Sequence, residues 1–368
     1  MDAEQLRSEI PLLDSCVYLN TGASGPGHRR VIDAVTAVHR THKGLNGPHR
    51  EMYGKAAEVL EESRDTVAQF VGASPNEIAW TQSTVDGINH IATSLEWSPG
   101  DVIVRTDLEH PAGRLPWERL ANRYDVTIRE VPSTDGRLDM DALDTALEGA
   151  RLVCLSSISW NYGTRLPIQE VCDRAHAAGA MVLVDAVQSL GQAAVDVKEW
   201  GADFVAASGH KWMLGVWGSG ILYIDQDVLS ELQPSRIGYF SVEQASDDAY
   251  TFVPEAKCFE LGTMPIAPYV GLKTSVEVLD EYRMRCIENR IVHIAEYLVD
   301  GLEQRVLSPA NPESGLVTFG VDEPEEITER LMEEGIEIRW LPEPRACRAS
   351  IHAFNTVEDV DRLLAALS

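Results

Sequence analysis

From about residue 76 the chain alternates between short apolar runs and longer stretches in which apolar positions recur every three or four residues. The runs are EIAWT (77–81), DVIVRT (101–106), DVTIREV (125–131), RLVCLSS (151–157), AMVLVDA (180–186), DFVAAS (203–208) and GILYI (220–224). Their length and their Val and Ile content predict buried strands. Between them, segments such as GINHIATSLEW, DMDALDTALEG and PIQEVCDRAHAAG predict helices. The alternation predicts an α/β fold, a mainly parallel sheet with helices on both faces. The last two runs are joined by GHKWMLGVWGSG, too short for a helical crossover, so that pair is predicted to be antiparallel.

Beyond about residue 250 the pattern changes. A long amphipathic stretch (about 266–306) precedes SGLVTFGV, PEEITERLMEEGIEIRW and CRASIHAFNTVEDVDRLLAALS. This predicts a helical linker and then a smaller α+β unit in the order strand, helix, strand, strand, helix. The resulting division is an N-terminal segment (1–15) packing on the small domain, a large domain (16–250), and the linker helix with the small C-terminal domain (251–368). The polar cluster EQASDDAY (243–250) is the expected boundary.

Charge narrows the function classes. The chain has 31 Lys+Arg against 58 Asp+Glu, a formal net charge of −27 over 368 residues. Such a surface repels nucleic acid and anionic membranes. It also suits a halophile, in whose cytosol molar salt screens the repulsion. No apolar run is long enough to span a bilayer, and the first residues lack the basic and apolar regions of a signal peptide, so a cytoplasmic protein is expected. The six cysteines are scattered without a C-x-x-C pair, and no metal site is expected.

Chemistry gathers at the predicted strand ends, where ligands collect in parallel sheets. One run finishes in Asp185, with Gln188 three residues on. Another finishes in Ser208, followed by His210 and by Lys211, one of only six lysines. EIAWT leads into the hydroxyls Ser83 and Thr84, and DVIVRT leads into His110. Pyridoxal phosphate needs this set: a lysine for a Schiff base, a buried carboxylate for the pyridine nitrogen, and hydroxyls over a helix N-terminus for the phosphate. Taken alone, Asp185 reads as a helix cap. Ser83 and Thr84 also read as caps, a role compatible with phosphate binding. Gly215, Gly218 and Gly220 read as turn formers.

The stretch VDAVQSLGQ…VDVKEWGADFVAASGHKWMLGVWGSGILYI resembles the lysine region of the class V aminotransferase and cysteine desulfurase family, pyridoxal phosphate enzymes of fold type I. The likeness runs from VYLNTGASGP through FELGT to CRASIHAFNT. The resemblance implies that Lys211 forms the Schiff base and moves the proton at the substrate α-carbon. It implies that Asp185 pairs with the ring nitrogen, Gln188 with the phenolic oxygen, and that His110 stacks on the ring. Thr84, Ser208 and His210, with Ser83 and the N–H groups around Val85, would hold the phosphate. Gly262 and Thr263 would reach the phosphate of a neighbouring subunit, which implies a homodimer with shared sites. Arg348 would grip the α-carboxylate of a small amino acid substrate, with Arg339, Asn20 and either Trp160 or Asn161 near it.

The sequence departs from the desulfurase branch in one respect. That branch carries a nucleophilic cysteine on a mobile loop before CRAS, and here the interval is only WLPEPRA (340–346). On a strand, Cys347 and Arg348 would point to opposite faces, so Cys347 is expected to be structural. The leading expectation is therefore an aminotransferase. The alternatives are a C–S lyase, a selenocysteine lyase, a desulfurase-like enzyme or an epimerase, and more remotely a non-catalytic cofactor-binding regulator.

Overall fold

The protein was analysed as a computed structural model, which describes residues 3–44, 49–245 and 249–368. All seven apolar runs are strands: β1 (Ile78–Thr81), β2 (Val102–Thr106), β3 (Thr127–Val131), β4 (Ala150–Ser156), β5 (Met181–Asp185), β6 (Phe204–Ser208) and β7 (Gly220–Ile224). They form one sheet in the order β1-β7-β6-β5-β4-β2-β3. The neighbours β3, β2, β4, β5 and β6 run parallel, while β7 is antiparallel to both β6 and β1.

Successive residues on these strands enter two separate cores. Val102, Val104, Val182 and Val184 pack on one face, among Leu60, Val67, Val71 and Val276. Ile103 and Leu183 pack on the other, among Ile88, Ile91, Trp117 and Leu120. Both faces are therefore covered, which is why the runs are apolar throughout rather than alternating. At ~1.5–3 kcal/mol for each fully buried aliphatic side chain, these two layers hold the site's scaffold rigid.

Two helices in the region before the first run were not anticipated: α1 (Arg29–Gly44) and α2 (His49–Val71). Both pack on α5 (Ile266–Glu281). The amphipathic stretch expected as one linker is two helices, α5 and α6 (Met284–Leu302), broken at Arg283, whose φ of 60° is left-handed. The site-forming helices are α3 (Thr84–Ser94) and α4 (Pro111–Tyr124).

The C-terminal part has the expected order of elements. Its sheet is β8 (Leu316–Phe319), β9 (Arg339–Pro342) and β10 (Arg345–Ser350), antiparallel with β10 in the middle. Val317, Phe319, Cys347 and Ala349 enter a third core with Leu298, Leu331 and Leu363. Thr318, Arg348 and Arg339 are cross-strand neighbours in one row. The N-terminal segment touches both parts. Arg7 pairs with Asp359 at 2.8 Å, whereas Leu6, Ile10 and Leu13 join the core that contains Val102. Val17–Tyr18 then runs parallel to Ile336–Glu337, and Asn20 bridges Ser350. Of the boundary expected at EQASDDAY, residues 246–248 lie outside the described residues. No helix among the described residues is long and apolar enough to cross a membrane.

Candidate active site

The ends of β1, β4, β5 and β6 surround a cavity of about 210 Å³, lined by Ser83, Thr84, Val85, His110, Asp185, Gln188, Ser208, His210 and Lys211 among others. The turn between β6 and β7 carries Lys211 into it. Because β7 runs back against β6, the lysine sits on a short braced connection rather than a long loop. Gly25 packs beneath this turn: its N–H donates to His210 O at 2.7 Å, and a Cβ there would stand 2.2 Å from Lys211 O. Lys211 Nζ has no hydrogen-bond partner among the described residues. Burial pulls its pKa down to about 8; Asp185 opposes this, and Arg348 and Arg339 reinforce it.

Asp185 is almost inaccessible at 3% exposure. Its Oδ1 accepts from Val187 N at 2.9 Å within a turn, since no helix follows the strand, and Oδ2 makes no hydrogen bond among the described residues. Burial raises its pKa to about 6, against the bond from Val187 and the charge of Lys211. Gln188 accepts from Trp212 Nε1 at 2.7 Å and donates to Gly22 O at 3.1 Å, leaving one amide hydrogen unassigned.

The N-terminus of α3 forms the opposite wall. Ser83 is its N-cap and accepts from Asp86 N, while Thr84 N donates to Ser208 Oγ at 2.7 Å. The N–H of Val85 has no acceptor among the described residues, so a donor on the positive end of the helix dipole remains for an anion. Gly220 makes this approach possible, since a Cβ there would lie 2.8 Å from Ser83 N. His110 caps α4, and its Nδ1 accepts from Ala112 N at 3.1 Å. That bond places any proton of the neutral ring on Nε2. Burial first, and then Lys211, Arg339 and Arg348, lower its pKa to about 4. Burial, with Lys211, likewise lowers His210 to about 4.

Arg348 is 1% exposed. Nη1 donates to Trp160 O at 2.7 Å, but Nε and Nη2 are buried without partners among the described residues. Burial and the facing Arg339 both disfavour its charge. A buried, always-charged guanidinium with donors left over is a site for a carboxylate. Arg339, half-buried, has no acidic partner among the described residues.

Trp160 lines the cavity, with its ring edge-on to His110 at a centroid distance of 5.0 Å. Asn161 does not line it. Its amide is engaged by Ser159 Oγ at 2.9 Å and Glu343 O at 3.3 Å, so the expectation that it meets the substrate is not met by this geometry. Asn20 is also set back, donating to Glu337 at 3.3 Å, although Gly22 in the same loop lies against Arg348. Gly262 and Thr263 lie outside the cavity of their own chain, where Thr263 Oγ1 meets the exposed Tyr239 Oη at 2.7 Å. Sequence reasoning missed two neighbours of the cavity, Ser156 on its wall and Glu109 beneath it. The only signal was their place at strand ends.

The residues present fit pyridoxal phosphate. A lysine without a partner, a buried carboxylate with one free oxygen and a helix N-terminus with a spare N–H converge on one cavity. None of the six cysteines lines it. Cys347 faces the third core, and burial pushes its thiol up to about 12.

Comparison with known proteins gives consistent likenesses. The family description Aminotransferase class-V matches residues 17–363. A probable cysteine desulfurase of Methanothermobacter thermautotrophicus is 34% identical, over 99% of this chain and 96% of its own length. The apo cysteine desulfurase of Thermococcus onnurineus superposes with a TM-score of 0.92 at 30% identity, covering 98% of this chain and 96% of that one. The cystine C–S lyase C-DES is also similar. A mutant of it with glycine linked to its pyridoxal phosphate gives a TM-score of 0.92 at 28% identity, with 98% of both chains covered. Its complex with the product cysteine persulfide gives 0.91 at 29%, covering 97% of this chain and 98% of that one.

Proposed function

Because the chain belongs to the class V aminotransferase family, we propose that it is a C–S lyase that cleaves the bond between Cβ and sulfur in a cysteine-type amino acid. It is an enzyme of that pyridoxal phosphate-dependent family, with the fold type I architecture. The observation that carries the finer reading is a cavity lined by the lysine and by no thiol, with the buried Arg348 bonded to its lining residue Trp160. Desulfuration needs a protein thiolate to take the substrate sulfur, and β-elimination does not. The similarity to desulfurases and to a cystine lyase supports a sulfur-bearing substrate over the amino-donor substrate first expected.

When bound, pyridoxal phosphate supplies an electron sink for the pair left at the substrate α-carbon. Thr84, Ser208, His210 and the N–H of Val85 would hold its phosphate, with Ser83 capping the helix behind them. Asp185 Oδ2 would pair with the protonated ring nitrogen, Gln188 would donate to the phenolic oxygen, and neutral His110 would face the ring. Arg348 binds the substrate α-carboxylate and thereby orients the α-carbon. Lys211 Nζ, with its ammonium form disfavoured, removes the α-proton. With cystine the net reaction consumes one water and yields pyruvate, ammonia and cysteine persulfide. The enzyme acts as a homodimer in this reading, with Gly262 and Thr263 offered to the partner's phosphate.

The test is to supply cystine or cysteine without any keto acid. Pyruvate and ammonia accumulating over many turnovers support the lyase. A keto acid formed once per subunit, continuing only when an amino acceptor is added, makes the enzyme an aminotransferase. Alanine with sulfur left on the protein makes it a desulfurase. In each case Lys211→Ala is expected to lose the visible absorption of bound cofactor and roughly 10²–10⁴-fold of the rate.

A further inference from the structure

Among the buried acids with no part in the scheme above, Glu109 stands next to the cavity-lining His110. Glu109 lies between the end of β2 and the N-cap of α4 and is 3% exposed. Among the described residues no Lys, Arg or His forms an ion pair with its carboxylate. Three donors converge on it instead. Oε1 accepts from Thr106 Oγ1 at 2.7 Å and from Ser156 N at 2.9 Å, and Oε2 accepts from Ser156 Oγ at 2.6 Å. These bonds tie the last residue of β2 to the last residue of β4. The first turn of α4 closes over them, and a Cβ at Gly113 would stand 3.2 Å from Oε2.

The groups so tied belong to the ring-binding face. Ser156 lines the cavity and is the register partner of Asp185 on the adjacent strand. His110 is the next residue in the chain. We infer that Glu109 is a positioning residue for the cofactor ring: its carboxyl group clamps the ends of β2 and β4, fixes His110 over the ring, and places an acid beside Asp185. The charged and titratable groups facing it are Asp185 on β5 and the thiol of Cys154 on β4. Arg105 on β2 is occupied by Glu118 and Glu130. Burial first, and Asp185 in addition, raise the Glu109 pKa to about 7, while its bonds to Ser156 and Thr106 oppose the rise. Above that pH the carboxylate is charged and favours retention of a proton by the neighbouring Asp185 and ring-nitrogen pair.

The inference rests on pyridoxal phosphate in the cavity, so the parent enzyme must first show the cofactor's visible band. A parent without it fails that reading and not this one. Glu109→Gln keeps the shape and removes the charge. In the full-length holoenzyme it is expected to lower the pH midpoint of the band by about one unit and to raise the cofactor dissociation constant roughly tenfold. Thr106→Val keeps the charge and removes one donor. It is expected to weaken cofactor binding by roughly threefold and leave the midpoint in place. Variants that melt at lower temperature but keep the parent's midpoint and dissociation constant would make Glu109 structural only and overturn the inference. So would a Glu109→Gln shift reproduced in full by Thr106→Val. Should Glu109→Gln not fold, unchanged cofactor affinity in Thr106→Val overturns the clamp.

Discussion

Asp185 is ionised only against the preference of its surroundings. Its folded pKa of about 6 lies above that of an exposed aspartate, so its favourable contribution to the cofactor-free protein is complete below the ordinary aspartate range. That contribution is lost as pH rises through about 6. The ring-nitrogen proton gives the carboxylate a partner and removes the penalty. Hence the melting temperature of the apoenzyme is expected to fall relative to that of the holoenzyme as pH rises through this window. Parallel thermal scans of the two forms check it, and a gap independent of pH would contradict it. Lys211, Asp185, Ser208 and His110 were legible in the sequence because each stands at or just beyond a strand end and matches the family resemblance. Glu109 was not. Its place is defined by donors from positions 106 and 156, and those meet it only once β2 and β4 are in register. Trp160 and Asn161 were ambiguous for a similar reason, because the turn after Ser159 decides which one faces the cavity.

Among the elements, the seven strands were readable as apolar runs because both sheet faces are buried. Helices α1 and α2 lie before the alternating region on which the reading rested, and they pack on α5 rather than in a strand–helix alternation. The break at Arg283 could not be read from amphipathicity, which continues across it. The interval before CRAS is a tight hairpin, β9 and β10 joined through Glu343 and Pro344, with Trp340 opposite Cys347. It fixes Cys347 toward the third core. Cys347→Ser is therefore expected to destabilise the fold by ~1–3 kcal/mol. Turnover per folded molecule with cystine is expected to stay within about twofold of the parent, since the thiol faces the third core and does not line the cavity. Denaturant midpoints and initial rates separate these effects, and loss of turnover in the folded variant would return the thiol to the reaction.

At the scale of the whole molecule, a net charge of −27 makes self-repulsion a standing load on the folded state. At molar salt the screening length shrinks to about 3 Å, below the spacing of most surface carboxylates. The melting temperature is therefore expected to rise by on the order of 5 °C from low salt to molar sodium chloride. A flat response would show that the acidic surface is not repulsive in the native state.

The pairing of Val17–Tyr18 with Ile336–Glu337 has a consequence for the newborn chain. The ribosome delivers the second strand 319 positions after the first (336 − 17), a wait of roughly 16–64 s at ~5–20 residues per second. Thr84, His110, Asp185 and Lys211 all emerge within that interval, whereas Arg348 and the strand that seats the N-terminal loop come at its end. The order of translation thus completes the segments that line the cavity before the strand that carries Arg348.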